Sequence, residues 1–193
     1  MRPAFAGQPI LSGLFFATLV IWALLELRQA LNRRAGATSM DRGSLAVVRV
    51  SAVAGALLAA ALVRVSATAF PSTLAVFAVG LLLIWSGIAL RVWCFHTLGR
   101  YFTFTVMTSP DQRVVDRGPY RLLRHPSYSA ILLILAGIGL TYGNWLSLAA
   151  LVVLPLAGFV NRIRIEESAL SATLGDAYTT YASRRRRLIP FVW

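Results

Sequence analysis

The chain of 193 residues contains no lysine, a single cysteine and only seven acidic residues. One cysteine, Cys94, excludes an intrachain disulfide and any multi-cysteine metal site. Charged residues make up 13% of the chain, whereas 58% are hydrophobic and the mean hydropathy is +0.69. A soluble domain carries roughly 25% charge, so this deficit excludes an ordinary globular domain and indicates a membrane protein. The charge that is present is lopsided: 19 arginines give a formal net charge of +12. In a soluble protein such basicity would invite nucleic acid. Here the arginines gather at the ends of apolar runs, facing anionic headgroups, and no nucleic-acid partner is expected. Arginine without lysine, among many alanines, fits a GC-rich bacterial genome.

The hydrophobic runs predict an all-α integral membrane protein with about five transmembrane helices. The first covers 8–27, the second 45–65, and the third starts after Pro71 and ends near Phe95. Arg2 is the one early positive charge and the apolar run from Ile10 to Leu25 outlasts a signal-peptide core, so the first helix is read as retained. The uncharged stretch 126–161 is too long for one helix and breaks at Thr141-Tyr142-Gly143-Asn144, a turn-forming cluster. Two short helices forming a thin hairpin are expected.

Arginine placement supports this count. The first connection carries Arg28, Arg33, Arg34, Arg42 and Arg49, and the segment after the third helix carries Arg91, Arg100, Arg113, Arg117, Arg121 and Arg124. Arg184 to Arg187 close the tail, while the second connection has little beyond Arg64. Five crossings bring every arginine-rich region to one side. The positive-inside rule then puts the N-terminus outside and the C-terminus in the cytoplasm, in a bacterial inner membrane. Residues 1–97 are expected to hold helices one to three, and 98–193 a catalytic region of hairpin and tail.

Two polar clusters fall on the cytoplasmic side. Gly118-Pro119-Tyr120-Arg121-Leu122-Leu123-Arg124-His125-Pro126-Ser127-Tyr128 precedes the fourth helix, and Arg162-Ile163-Arg164-Ile165-Glu166-Glu167 follows the fifth. Upstream, Tyr101-Phe102-Thr103-Phe104-Thr105-Val106 alternates like an extended interfacial segment. Each side chain alone has an ordinary explanation: a basic collar for Arg121 and Arg124, a cap for His125, an aromatic belt for Tyr120 and Tyr128. Arg162 and Glu166 stand four apart on one helix face, where an exposed ion pair is common and weak. Their concentration at the two ends of one hairpin points instead to a composite site. Glutamates there suit a cationic or amine-bearing ligand, and Arg162 an anionic one.

Arg124-His125-Pro126-Ser127-Tyr128, after Gly118-Pro119-Tyr120 and before Glu166-Glu167, resembles the isoprenylcysteine carboxyl methyltransferases. The tail Leu174-Gly175-Asp176-Ala177-Tyr178-Thr179-Thr180-Tyr181 with Leu188-Ile189-Pro190 fits too, as does the wider class with the phospholipid N-methyltransferases. The resemblance covers 98–190; the first two helices match only as membrane spans. Ser129-Ala130 stands where many members carry a glycine.

The resemblance implies an S-adenosylmethionine-dependent methyltransferase with a cytoplasmic cofactor pocket formed by the C-terminal half. It releases S-adenosylhomocysteine, uses no metal, and takes a lipophilic small-molecule or lipid substrate from the bilayer. Carried onto this chain, Gln112, Arg113, Val114 and Val115 would line the pocket largely by backbone, and Tyr120, His125, Pro126, Ser127 and Tyr128 would hold the cofactor. Glu166 would take its polar end, and Arg162 would act catalytically by orienting the substrate carboxylate. The alternatives are methylation of a phospholipid or other amine, and an NADPH-dependent sterol-reductase-like enzyme that resembles the same C-terminal fold. Glu166-Glu167 disfavours the dinucleotide, and Arg162 disfavours a cationic acceptor.

Overall fold

The computed structural model describes residues 3, 5–31, 38–39, 41–71, 73–102, 107–108, 113–190 and 192–193. Six helices follow one another: α1 (Pro9–Leu31), α2 (Ser44–Leu62), α3 (Leu74–Leu98), α4 (Pro126–Tyr142), α5 (Trp145–Leu174) and α6 (Asp176–Ser183). Four are long and apolar enough to cross a membrane, and α4, at 17 residues, is the shorter apolar fifth. The expected all-α membrane architecture is therefore observed. Two short strands, β1 (Thr38–Ser39) and β2 (Met107–Thr108), pair antiparallel and tie the first connection to the segment after α3. Arg33, Arg34 and residues 103–106 lie outside the described residues.

Local chemistry explains the boundaries. The Thr73 hydroxyl accepts from the Val76 N–H at 3.3 Å and starts α3. Pro126, which needs no N–H partner in a first turn, begins α4 directly after His125. Gly143, at φ 67°, closes α4, and the Asn144 side chain caps α5 by accepting from the Ser147 N–H at 3.0 Å. The predicted break between the two helices is thus where the sequence puts it.

The fifth helix continues past its apolar span, as the shared helix face of Arg162 and Glu166 implies. It runs 30 residues to Leu174 and carries the whole second polar cluster within it. Between Asn161 and Leu174 the chain has neither glycine nor proline and is rich in good helix formers, so nothing stops the helix at the interface. Gly175, at φ 54°, turns the chain into α6.

Close packing in the bundle rests on small residues, as is usual between membrane helices. A Cβ on Gly137 would lie 2.5 Å from the Gly80 carbonyl oxygen, so α3 and α4 touch backbone to backbone. Gly55 of α2 meets the Ala150 carbonyl and the Pro155 ring of α5 in the same way. Ile10, Leu14, Leu24 and Leu31 of α1 remain exposed, an apolar face suited to lipid.

Both ends of the bundle are internally joined. At one end, Phe70 N–H donates to the Gly143 carbonyl at 2.9 Å, and Asn144 Nδ2 donates to the Val65 carbonyl at 3.0 Å. The two arginine-poor connections therefore share that end. At the other end the β1–β2 pair joins the two arginine-rich segments.

Candidate active site

The arginine-rich end gathers residues from all six helices. His125, at the mouth of α4, is buried with both ring nitrogens facing glutamates of α5: Nε2 is 3.2 Å from Glu167 Oε1 and Nδ1 is 3.8 Å from Glu166 Oε2. One turn on, the Tyr128 hydroxyl donates to Glu166 Oε2 at 2.6 Å and accepts from Arg162 Nε at 2.8 Å. Arg162 and Glu166, the pair expected on one helix face, are thus bridged by a phenol from the neighbouring helix. The Tyr128 ring is stacked between His125 and Phe159, with centroids 5.6 and 4.9 Å away.

Arg162 is 4% exposed. Its Nη1 donates at 2.7 Å to Oδ1 of Asp41, in the connection just before α2, and at 2.9 Å to Oγ of Ser44, the first residue of α2. Glu166 keeps 29% of its side chain exposed. Glu167 is the hub of a different set: Arg124 Nη1 at 2.7 Å, His125 Nε2 at 3.2 Å and Arg187 Nη2 at 2.9 Å. Adjacent glutamates thus divide the work, one half-open and one enclosed by cations.

The tail lies over this cluster. Arg124 N–H donates to the Arg186 carbonyl at 2.7 Å, His125 N–H to the Arg187 carbonyl at 3.0 Å, and Ser129 Oγ to the Leu188 carbonyl at 2.6 Å. From α6 the Tyr181 hydroxyl donates to the Tyr120 carbonyl at 2.8 Å. Burial raises the Tyr181 phenol above its ordinary range, so it stays a donor. Tyr178 is 5% exposed, yet its hydroxyl has no hydrogen-bond partner among the described residues. Burial, with added repulsion from Glu167 and Glu166, holds that phenol protonated too. A buried O–H with no acceptor among the described residues is costly unless something else occupies the space.

The remaining sequence candidates fall in two places. Arg113, Val114 and Val115 line an open groove of about 540 Å³ together with Leu98, Gly99, Tyr101, Asp116 and Arg117 at the end of α3. Gln112 lies outside the described residues. Pro126 and Ser127 are buried at the start of α4. Ser127 Oγ and the Ser127 carbonyl both accept from Arg91 of α3, whose Nε in turn donates to Glu26 of α1 at 2.8 Å. This buried ladder fixes Ser127 from behind and links α1, α3 and α4.

Asp41, Ser44, Arg187, Tyr178 and the Glu26–Arg91 pair were not among the residues expected to form the site, and Glu167 was expected there only as the neighbour of Glu166. Glu26 and Arg91 did carry a signal, since an ionisable residue at the end of an apolar run seldom lacks a partner. Asp41 stood out only as a lone acid in an arginine-rich connection.

Comparison with known proteins matches the isoprenylcysteine carboxyl methyltransferase family over residues 78–172. Protein-S-isoprenylcysteine O-methyltransferase B of Arabidopsis thaliana is 35% identical over 115 residues, 58% of this chain and 58% of that protein. The probable protein-S-isoprenylcysteine O-methyltransferase of Oryza sativa subsp. indica is 32% identical over 116 residues, 59% and 61% of the two chains. The solved structure of the eukaryotic intramembrane Ras methyltransferase superposes with a TM-score of 0.63 at 27% identity, covering 75% of this chain and 52% of that one. The chain thus spans about three-fifths of the length of the curated relatives it matches.

Proposed function

From the match of residues 78–172 to the isoprenylcysteine carboxyl methyltransferase family, we propose that this protein is an S-adenosylmethionine-dependent methyltransferase of the membrane, acting on the carboxylate of a lipophilic substrate. The observation that carries this reading is the run Arg162–Tyr128–Glu166, which sets an anion-binding and a cation-binding group side by side on one helix. Both sit at the end where the tail covers the cluster.

The residues present fit the cofactor. Glu166 keeps part of its carboxylate open for an ammonium, and the Tyr178 hydroxyl, buried with no hydrogen-bond partner among the described residues, offers a further donor. Tyr120, His125, Pro126, Ser127 and Tyr128 would complete the holding set, with Gln112, Arg113, Val114 and Val115 contributing mainly backbone. When bound, the cofactor supplies an electrophilic methyl on a sulfonium.

The chain's own residues then need only bind and align. A carboxylate is already ionised, so no strong base is required; Arg162 would hold and orient it. Proximity and in-line placement carry most of the rate. The buried surroundings of His125, Tyr120 and Tyr178 exclude water from the reacting groups. Residues 98–193 are the catalytic part, and 1–97 contribute support through Glu26, Asp41 and Arg91. The arginine-rich end faces the cytoplasm, and the substrate enters from the bilayer.

Arg162→Ala tests the assignment: substrate KM rises by about tenfold or more while cofactor Kd stays near wild type, as expected when a bidentate ionic contact is lost. An unchanged KM overturns the role of Arg162. Calorimetric titration with S-adenosylhomocysteine and with NADPH, in detergent, separates the methyltransferase from a reductase; binding of NADPH alone overturns the cofactor.

A further inference from the structure

We propose that Asp41 is a placeholder carboxylate: it occupies the Arg162 guanidinium until a substrate carboxylate replaces it, and it reclaims the guanidinium once that carboxylate has become a neutral ester. The inference rests on the reading of Arg162 given above. A guanidinium as buried as Arg162 needs an anionic partner at every stage, because an uncompensated buried charge is strongly destabilising. Asp41 Oδ1 supplies it directly at 2.7 Å.

The partners of Arg162 differ in how firmly they are held. Tyr128 stands on the packed helix α4 and Ser44 is the buried first residue of α2. Asp41 stands on a connection, just before Arg42 at φ 46° and Gly43 at φ 77°, and its side chain is 13% exposed. Arg42 is the one non-glycine residue at positive φ among the described residues, so the turn that aims Asp41 at Arg162 is strained. Asp41 also has somewhere to stay on release. Its Oδ1 accepts from Ser44 Oγ at 2.9 Å and its Oδ2 from the Leu45 N–H at 3.1 Å, capping the first turn of α2. Exchange of one carboxylate for another at Arg162 therefore moves a side chain on a turn and leaves the helices in place.

The exchange confers selectivity in both directions. An acid can compete with Asp41 for the guanidinium; an alcohol, an amine or an ester cannot. Methyl esterification removes the charge that won the exchange, and the returning Asp41 favours product release.

Asp41 acts through Arg162 and is a positioning residue. A residue that merely orders Arg162 would, when neutralised, weaken acid binding; a placeholder would strengthen it. The test is calorimetric binding of N-acetyl-S-farnesylcysteine and its methyl ester to the full chain in nanodiscs, with wild type, Asp41→Asn, Asp41→Glu and Arg162→Ala. Asp41→Asn is expected to bind the acid about tenfold tighter, a shift expected when a competing buried charge is removed, with ester affinity unchanged. Asp41→Glu returns acid affinity toward wild type. Should Asp41→Asn fail to fold, Asp41→Ser removes the same charge while keeping a side-chain oxygen at the start of α2. Unchanged or weaker acid binding in the variant that folds overturns the placeholder. Equal acid affinity in wild type and Arg162→Ala, or no acid binding to either, overturns the carboxylate reading itself.

Discussion

At the scale of single residues, the two glutamates show how chemistry is divided between neighbours. Glu167 is enclosed by Arg124, His125 and Arg187, whereas Glu166 accepts one phenol and stays partly open. The sequence placed Glu166 in the site but gave no reason to separate it from Glu167, because their partners come from α4 and the tail. Tyr178 is the sharpest case. Its hydroxyl is buried without a partner among the described residues, so without added ligand Tyr178→Phe should leave stability equal or slightly raised, by about 1 kcal/mol at most. The same substitution should weaken S-adenosylhomocysteine binding severalfold, the cost of about one hydrogen bond. Paired thermal unfolding and calorimetry check both signs, and a stability loss with unchanged binding makes Tyr178 a packing residue only.

At the scale of elements, helix existence and ends were legible because bilayer length, arginine flanks and the Gly143-Asn144 break are local signals. Helix pairing was not. Gly80 and Gly137 look like ordinary glycines in apolar runs until α3 and α4 are laid together. A Cβ at Gly137 would meet both the Gly80 carbonyl at 2.5 Å and Ile84 Cγ1 at 2.7 Å. Gly137→Val should therefore cost about 2 kcal/mol or more, since backbone cannot yield as a side-chain tip can. Gly13→Val in α1, where a Cβ meets nothing within 4 Å, is the matched control and should unfold like wild type. Detergent melting curves compare the two, and equal melting temperatures would show that the α3–α4 contact tolerates opening.

At the scale of the whole molecule, charge and geometry group the same chain segments. The positive-inside rule groups the arginine-rich segments by composition; the β1–β2 pair and the Asp41–Arg162 contact bring them together in space. The arginine-poor connections meet at the other end through Ala69 and Asn144. Orientation follows as a prediction. With Cys94, the lone and buried cysteine, replaced by alanine, single cysteines at the exposed positions Ala67 and Thr180 report each end. A membrane-impermeant maleimide should label the first in intact cells and the second only after permeabilisation. The opposite pattern would invert the protein in the membrane.

Composition and periodicity alone determined that this chain is a helical membrane protein and where its long apolar helices lie. These follow from the solvent: a bilayer dictates span length and punishes stray charge wherever it occurs along the chain. Only the tertiary structure decided that Arg162 is held by Asp41, that Tyr128 bridges Arg162 to Glu166, and that the tail closes over His125. Those contacts join residues as far as 121 positions apart. No local pattern encodes them, because each depends on which helix faces meet once the small residues have packed.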